Sequence, residues 1–316
     1  MYVIPESEYR LKMEQTVEPE LKALHQRERM TVKGGELAIH CYLPENMRAQ
    51  MLLLHGTSES AEKYHEMIWY FLQCGIGVIA PDMRGHGKSL RLTDDPCLIH
   101  TDRFEDYVDD ALKIVNTRMN TFTGPLFLYG HSLGGAVAAA LMLRIPDRFS
   151  KVILSSPMVD PSTGSFPRWV GCVLADGGCL IGNGKKMAFV STPYDPEKDT
   201  FETSCDTGRE RFEYYKAKRV KDRSYQTCGL SYRWISESMK VKKLLLSHPD
   251  AQKVTADVML CQAGGDTVVR LPEQDMFIRR LPKGKLVRFD DAKHEIYISD
   301  DRTMKRYVEE VCAFLE

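Results

Sequence analysis

The sequence predicts an α/β fold, a mostly parallel central sheet flanked by helices and interrupted by an inserted cap subdomain. Three observations predict it. Short aliphatic or β-branched runs bounded by Gly, Pro or Asp alternate with helix-length stretches, the pattern of a sheet covered on both faces. The alternation stops between Ser156 and about Ala256 and resumes at Val258. The chain has 316 residues, about two domain-equivalents at ~150 residues each, which fits one large domain carrying an insertion. The expected division is a core of residues 1–156 and 251–316 with a cap of residues 157–250.

The expected strands, in order, lie near Glu36–Leu43, Met51–Leu54, Gly77–Ala80, Leu126–Tyr129, Val152–Ser155, Val258–Gln262 and Leu286–Phe289. Each is a run of four to eight residues, too short for a helix and closed by turn formers. Helices are expected at Tyr64–Gln73, Phe104–Thr117, Leu133–Arg144, Pro272–Arg280 and Arg302–Phe314. Tyr107, Ala111, Ile114 and Val115 recur at helical spacing in the second, and Pro146 closes the third. Residues 119–143 carry no charge, a length that suggests a membrane span. The segment PLFLYGHSLGGAVAAALML nevertheless has a Pro, a His, a Ser and three glycines where a spanning helix would run unbroken. It reads as a buried strand, a sharp turn and a buried helix.

Composition excludes several classes of function. Forty-three Lys and Arg against 44 Asp and Glu leave a formal charge of −1, so the chain as a whole has no electrostatic footprint for nucleic acid. Hydrophobic residues at 43% and charged residues at 28% match a folded globular chain and exclude a disordered or fibrous one. The nine cysteines are scattered, and no Cys/His cluster has zinc spacing, so no metal and no cofactor is expected. The start, MYVIPESEYRLKMEQ, lacks a basic region followed by an apolar stretch, and the cytoplasm is the expected location.

The chemistry is read from Gly130-His131-Ser132-Leu133-Gly134. An apolar run leads in and a Gly/Ala-rich helix leads out, so Ser132 would sit on a tight strand-to-helix turn with its hydroxyl exposed. A serine hydroxyl is a poor nucleophile until a base removes its proton, so a histidine and an orienting acid are expected farther along the chain. Asp266 follows one strand and His294, 28 residues later, follows another. Asp160, after the strand ending at Ser155, is the alternative acid. Backbone N–H groups usually receive the developing oxyanion. Leu133, next to the nucleophile, supplies one, and Thr57, in the turn His55-Gly56-Thr57-Ser58, the second.

The series HGTSES at 55–60, PDMRGHGKS at 81–89, GHSLGG at 130–135, GGDTVV at 264–269 and KHE at 293–295 resembles the α/β-hydrolase superfamily. More narrowly it resembles the branch that holds monoacylglycerol lipases and bacterial lysophospholipases, from about residue 30 to the end. Ser204-Cys205-Asp206, Arg211-Phe212 and the segment 229–237 resemble the cap of the bacterial lysophospholipases. That cap usually reads with a Thr-His pair and a Gly-Gly-Pro-Thr stretch, where this chain has Ser-Cys-Asp and Cys-Gly-Leu-Ser. The resemblance implies an α/β-hydrolase fold and gives Asp82–Gly87 a structural role beside the site.

Within the cap, residues 209–223 hold seven basic and three acidic residues interleaved with aromatics. The run, Arg211 included, suits a phosphate head group or a transient contact with an anionic membrane surface; the alternative is a solvated helix face. Trp169, Tyr225, Trp234 and Met239 are expected to line an acyl groove, with packing of the cap core as the alternative. The expected function is a serine hydrolase that cleaves the carboxylic ester of a single-chain lipid, a lysophospholipid, through an acyl-enzyme. Monoacylglycerol lipase or general carboxylesterase activity is the alternative; a proline iminopeptidase-like peptidase and a non-catalytic binding protein are further rivals. No obligate protein partner is expected.

Overall fold

The apolar runs pair into one eight-stranded sheet in the computed structural model, which describes residues 2–164 and 166–316. Its strands are β1 (His25–Val32), β2 (Gly35–Tyr42), β3 (Ala49–Leu54), β4 (Ile76–Pro81), β5 (Leu126–His131), β6 (Lys151–Ser155), β7 (Asp257–Ala263) and β8 (Gly284–Phe289), in spatial order β1-β2-β4-β3-β5-β6-β7-β8. The β1–β2 and β2–β4 pairs are antiparallel and every other pair is parallel. The order reverses at β3, which lies between β4 and β5, and a crevice forms outside the carboxyl ends of strands at such a reversal.

The helices are α1 (Tyr9–Lys12), α2 (Glu18–Leu24), α3 (His65–Gln73), α4 (Glu105–Arg118), α5 (Ser132–Arg144), α6 (Arg168–Leu180), α7 (Arg209–Lys221), α8 (Tyr232–Leu246), α9 (Leu271–Ile278) and α10 (Asp301–Leu315). Two apolar layers sandwich the sheet. One gathers Val108, Ile114, Val137, Leu141 and Val258; the other gathers Ile68, Phe71, Tyr129, Val308 and Val311. In α10, Met304, Tyr307, Val308, Val311 and Leu315 recur at three- and four-residue intervals and are buried, the stripe a helix needs to lie on a sheet. Twelve of the 13 residues of α5 are buried, which accounts for the uncharged stretch as interior helix. Among the described residues no helix is long and apolar enough to cross a membrane.

Two N-terminal stretches lie outside the expected set. β1 (HQRERMTV) buries only Met30, because it is an edge strand with a solvated face. Residues 9–24 form α1 and α2 joined through a π-helical stretch at Met13–Val17. Tyr9, Met13, Val17 and Leu21 are buried along them. A four-residue spacing overshoots a 3.6-residue turn by about 40° at each step, and the wider π turn in the middle lets all four side chains face the core. Between β6 and β7 the chain contributes α6, α7 and α8 and, among the described residues, no strand of the sheet.

Candidate active site

β5 runs straight into α5, whose first residue, Ser132, is left-handed at φ 51°. Such a conformation is costly for a residue with a Cβ and persists only where its surroundings over-determine it. Here the surroundings are close backbone. A Cβ on Gly134 would meet the carbonyl oxygen of Leu54 at 2.1 Å, and one on Gly130 would meet that of Gly134 at 2.3 Å. The two glycines therefore let α5 press against β3 and β5 and hold the turn shut. The Ser132 hydroxyl donates to His294 Nε2 at 2.8 Å, and His294 Nδ1 donates to Asp266 Oδ2 at 2.7 Å. An ionised carboxylate only accepts, so Nδ1 carries the proton and Nε2 presents its lone pair to the serine. Asp266 is fixed in turn: its Oδ1 accepts the backbone amides of Val268 at 2.8 Å and Val269 at 3.0 Å. His131 packs its ring 4.9 Å from that of His294. Burial pushes His131 down to about 4, so it packs there as a neutral ring.

Thr57 lies in the loop after β3 and Leu133 in the first turn of α5, next to Ser132, and among the described residues neither amide is engaged by a protein acceptor. The loop of Thr57 is held from several directions. His55 Nε2 accepts the Met83 amide at 2.9 Å, which leaves the proton on Nδ1 to donate to the Gly56 carbonyl at 2.7 Å. Glu59, 2% exposed, reaches back three residues to accept the Gly56 amide at 2.5 Å and also accepts the Tyr64 hydroxyl at 2.7 Å. Its other oxygen accepts Lys63 at 3.1 Å and the Tyr297 hydroxyl at 2.5 Å. Lys63 also pairs with Glu295, next to His294. Burial alone would raise Glu59; the Lys63 ammonium and the tyrosine hydroxyls outweigh it and hold the carboxylate well below its usual range. Glu59 thus ties the loop of Thr57 to the loop of His294. Glu59→Gln should lower kcat about 10-fold with little change in KM, because misplacing a donor by a fraction of an ångström weakens the transition state more than the ground state. Steady-state kinetics on a soluble ester checks this, and an unchanged kcat would remove Glu59 from the positioning of the loop.

A family model described as serine aminopeptidase, S33 (Hydrolase_4) matches residues 45–301. The chain belongs to this family. Among its relatives, a probable lysophospholipase L2 of Haemophilus influenzae is 25% identical over 281 residues, covering 87% of either chain. A monoacylglycerol lipase of Mycolicibacterium smegmatis is 31% identical over 138 residues, 43% of this chain and 48% of its own. A soluble variant of monoglyceride lipase from Saccharomyces cerevisiae, solved with a substrate analogue, superposes over 92% of this chain and 95% of its own with a TM-score of 0.71 at 18% identity. A highly thermostable carboxyl esterase from Bacillus coagulans does so over 92% and 97% with a TM-score of 0.69 at 17% identity. These two show that the fold is that of the α/β-hydrolases.

The remaining residues expected at the site of this Hydrolase_4 chain divide sharply. Trp234 and Met239 line an apolar cavity of about 230 Å³ under α6 and α8, and among the described residues no charged one lines it. The cavity begins at Pro161–Thr163, just beyond Met158, whose amide donates to the Ser132 carbonyl at 2.9 Å. Trp169 is not in it: it is 68% exposed on the outer side of α6. Tyr225 is not in it either, for it lines a separate polar cleft with His25, His40 and His65. Arg211 is withdrawn from any substrate. It is 1% exposed, its guanidinium donates to both Glu66 oxygens at 3.0 Å and to the carbonyls of Ile4 and Ser299, and it lies over the Tyr9 ring. A charge that deep must be fully paired, and Arg211 bolts α7 to the core. The basic run is largely neutralised in the same way, with Lys218 on Glu18 and Glu62 and Arg219 on Asp199.

Asp160, the alternative acid, lies elsewhere. It is fully buried and pairs with Arg168 of α6 at 2.8 Å, Lys242 of α8 at 3.1 Å and Arg270 at 3.6 Å. Two groups bring carboxylate and imidazole atoms within 4.8 Å of one another, Glu59-His131-Glu295 and Glu18-Glu62-His65. In each a lysine ammonium, Lys63 or Lys218, already lies against both glutamates. The role of Glu59 was hidden in the sequence although its signal was present, a carboxylate three residues after a turn glycine, the spacing at which a side chain caps a backbone amide.

Proposed function

We propose that this chain hydrolyses the carboxylic ester of single-chain lipids through an acyl-enzyme, with Ser132 as nucleophile, His294 as base and Asp266 as the acid that orients it. The observation that carries the reading is the hydrogen-bonded chain from Ser132 through His294 to Asp266; the apolar cavity whose lining begins at Pro161 supports it. His294 Nε2 takes the serine proton as Oγ attacks the ester carbonyl, and the Thr57 and Leu133 amides receive the oxyanion. Collapse expels the alcohol, which takes the proton from His294. Water, deprotonated by the same nitrogen, then frees the fatty acid and restores the serine. The names of the lysophospholipase and monoacylglycerol lipase relatives support the substrate class.

The apolar cavity is read as the acyl groove and residues 157–250 as its cap. Each methylene moved into it contributes ~0.8 kcal/mol, so kcat/KM for p-nitrophenyl esters should rise about threefold to fourfold per carbon until the groove is full. A series from acetate to decanoate checks this, and a flat series would show that the cavity does not receive the acyl chain. Phe166, Trp169, Val173, Leu174, Leu180, Ile181, Phe189 and Val190 expose large apolar surfaces on the cap, a concentration that supports transient contact with a membrane surface. A reducing, cytoplasmic setting belongs to the same reading and rests on the unpatterned cysteine spacing.

The family description raises a second reading, an aminopeptidase. Such an enzyme must hold a free substrate amine on the acyl side of the scissile bond, and among the described residues the cavity read as the acyl side has no carboxylate in its lining. Hydrolysis of lysophospholipid and monoacylglycerol but not of an aminoacyl p-nitroanilide is the expected result; the reverse would establish the peptidase.

A further inference from the structure

Residues 204–206 are where the chain departs from the bacterial cap it otherwise resembles, and they are stitched to the loop of His294. Lys293 Nζ donates to the Ser204 carbonyl at 3.1 Å, the Glu295 amide to that of Cys205 at 3.2 Å, and the amides of Thr207 and Gly208 to that of Ile298 at 3.2 and 2.9 Å. The fit is close, for a Cβ on Gly208 would meet the Ser299 carbonyl oxygen at 2.5 Å. These bonds set the side chains of Asp206 and Glu295 against each other, and the two carboxyls are hydrogen-bonded. Asp206 is 4% exposed.

A hydrogen bond between two carboxyls needs a proton on one of them, because an ionised carboxylate only accepts. The surroundings decide which one carries it. Glu295 pairs with Lys63, in the turn Ala61–Tyr64, and the same ammonium also holds Glu59. Burial would raise Glu295, but Lys63 and the bond from Asp206 keep it below its ordinary range. Burial and then the Glu295 carboxylate push Asp206 well above the usual range, against the pull of Lys63. No N–H or O–H donor among the described residues reaches its buried Oδ1, a setting that suits an un-ionised carboxyl and not an anion. The other groups around the pair leave this unchanged. The Cys205 thiol is pushed up to about 12 by burial and the neighbouring carboxyls, and the His131 ring is neutral. On α7, Arg211 and Arg219 are taken up by Glu66 and Asp199, the Tyr215 hydroxyl lies 3.4 Å from Ser60 Oγ, and the half-buried Lys216 stands 6.0 Å from the centre of the Phe212 ring.

We propose that Asp206 and Glu295 share one proton, and that this proton fastens residues 204–206 to the loop that carries His294 and so positions the base. Asp206 is a positioning residue, for it acts through Glu295, the neighbour of His294. Two carboxyls sharing one buried site cannot both ionise without repulsion, and the proton belongs to the pair. Raising the pH strips that proton, sets two anions against each other and loosens the loop. Because Asp206 holds its proton more tightly in the fold than in the unfolded chain, the stability it contributes is complete at acid pH and is lost as pH rises through its folded value. The positioning of His294 rests on the ester-hydrolase reading above; the shared proton does not.

The test titrates protein isotope-labelled at the aspartate carboxyl carbon by NMR. The resonance missing from Asp206→Asn identifies residue 206, and it should still report an un-ionised carboxyl at about pH 6, where an ordinary aspartate, with a pKa of about 3.9, is ionised. A resonance already in its ionised position there would overturn the shared proton. Asparagine donates to Glu295 at every pH, so the thermal midpoint of the wild type should fall relative to that of Asp206→Asn between about pH 6 and 9. Parallel curves would overturn the pH sensitivity. On p-nitrophenyl butyrate, Asp206→Ala, which has no donor, should lose about tenfold in kcat with little change in KM. Asp206→Asn should recover most of that loss and lack the wild type's fall in kcat at alkaline pH. Equal kcat in the wild type and Asp206→Ala, or the same alkaline fall in the wild type and Asp206→Asn, would remove Asp206 from the positioning of the base. Should the alanine variant fail to fold, the comparison with Asp206→Asn decides. A wild type that cleaves no ester while residue 206 keeps its proton would sink the ester-hydrolase reading, and the positioning role with it, and leave the shared proton standing.

Discussion

Ser132→Ala is expected to lose at least ~10³-fold in kcat on every ester the wild type cleaves, about 4 kcal/mol of transition-state stabilisation. The hydroxyl is the one group on the Ser132 side chain, and it is hydrogen-bonded to the imidazole that would take its proton. Alanine fits the same turn, because the left-handed conformation is imposed by the packing of Gly130 and Gly134 against neighbouring backbone and not by the hydroxyl. The variant should therefore keep its circular dichroism and thermal midpoint while losing turnover, which separates a chemical effect from a folding one. A fluorophosphonate should label the wild type once, at Ser132, and leave the variant unlabelled. Labelling of the variant at an equal rate would place the nucleophile elsewhere.

What the sequence made legible follows from how local each signal is. The elbow at Ser132 was readable because an apolar strand, three close glycines and a small-residue helix are consecutive, and each is a requirement of the same turn. Asp266 and His294 were readable because both follow short apolar runs whose carboxyl ends a parallel sheet brings to one edge. β7 and β8 are neighbours in register from Val258 opposite Gly284 to Ala263 opposite Phe289, so the loops that follow them leave side by side. Long-range polar pairing was not readable in this way. Arg211 and Lys218 looked like a free basic face because their partners, Glu66, Glu62 and Glu18, lie some 145 to 200 residues away in sequence. Charge counted along a helix says nothing about carboxylates that arrive from other elements. The N-terminal helices were missed for another reason. Their apolar residues repeat every fourth position, which fits an α-helix only when a π stretch resets the phase. The cap residues fell between these cases: Trp234 and Met239 turned inward while Trp169 did not, because α6 is amphipathic and spacing alone does not say which of its faces meets the core.

Asp266→Asn should lower kcat by about 10³- to 10⁴-fold, and Asp160→Asn should not. An amide at 266 can donate to Nδ1, which favours the tautomer with its proton on Nε2, the nitrogen that must accept from Ser132. On the proposed mechanism it also removes the negative charge that would stabilise the imidazolium formed as the serine attacks. The fold should tolerate the change, since the amide oxygen can still accept the Val268 and Val269 amides as Oδ1 does. Asp160 makes a different set of contacts, all of them with cations. Arg168 and Lys242 reach it from α6 and α8, and Arg270 from the residue preceding α9. Neutralising it removes the one charge that these partly exposed cations share, and should loosen the cap against the sheet. The expected signature is a lower thermal midpoint and faster proteolysis within residues 157–250, with kcat on a short p-nitrophenyl ester within a few-fold of wild type. The two variants therefore separate along different axes, one in turnover at constant stability and one in stability at nearly constant turnover. A fall of 10³-fold in kcat for Asp160→Asn, with Asp266→Asn unaffected, would transfer the role of orienting acid from Asp266 to Asp160.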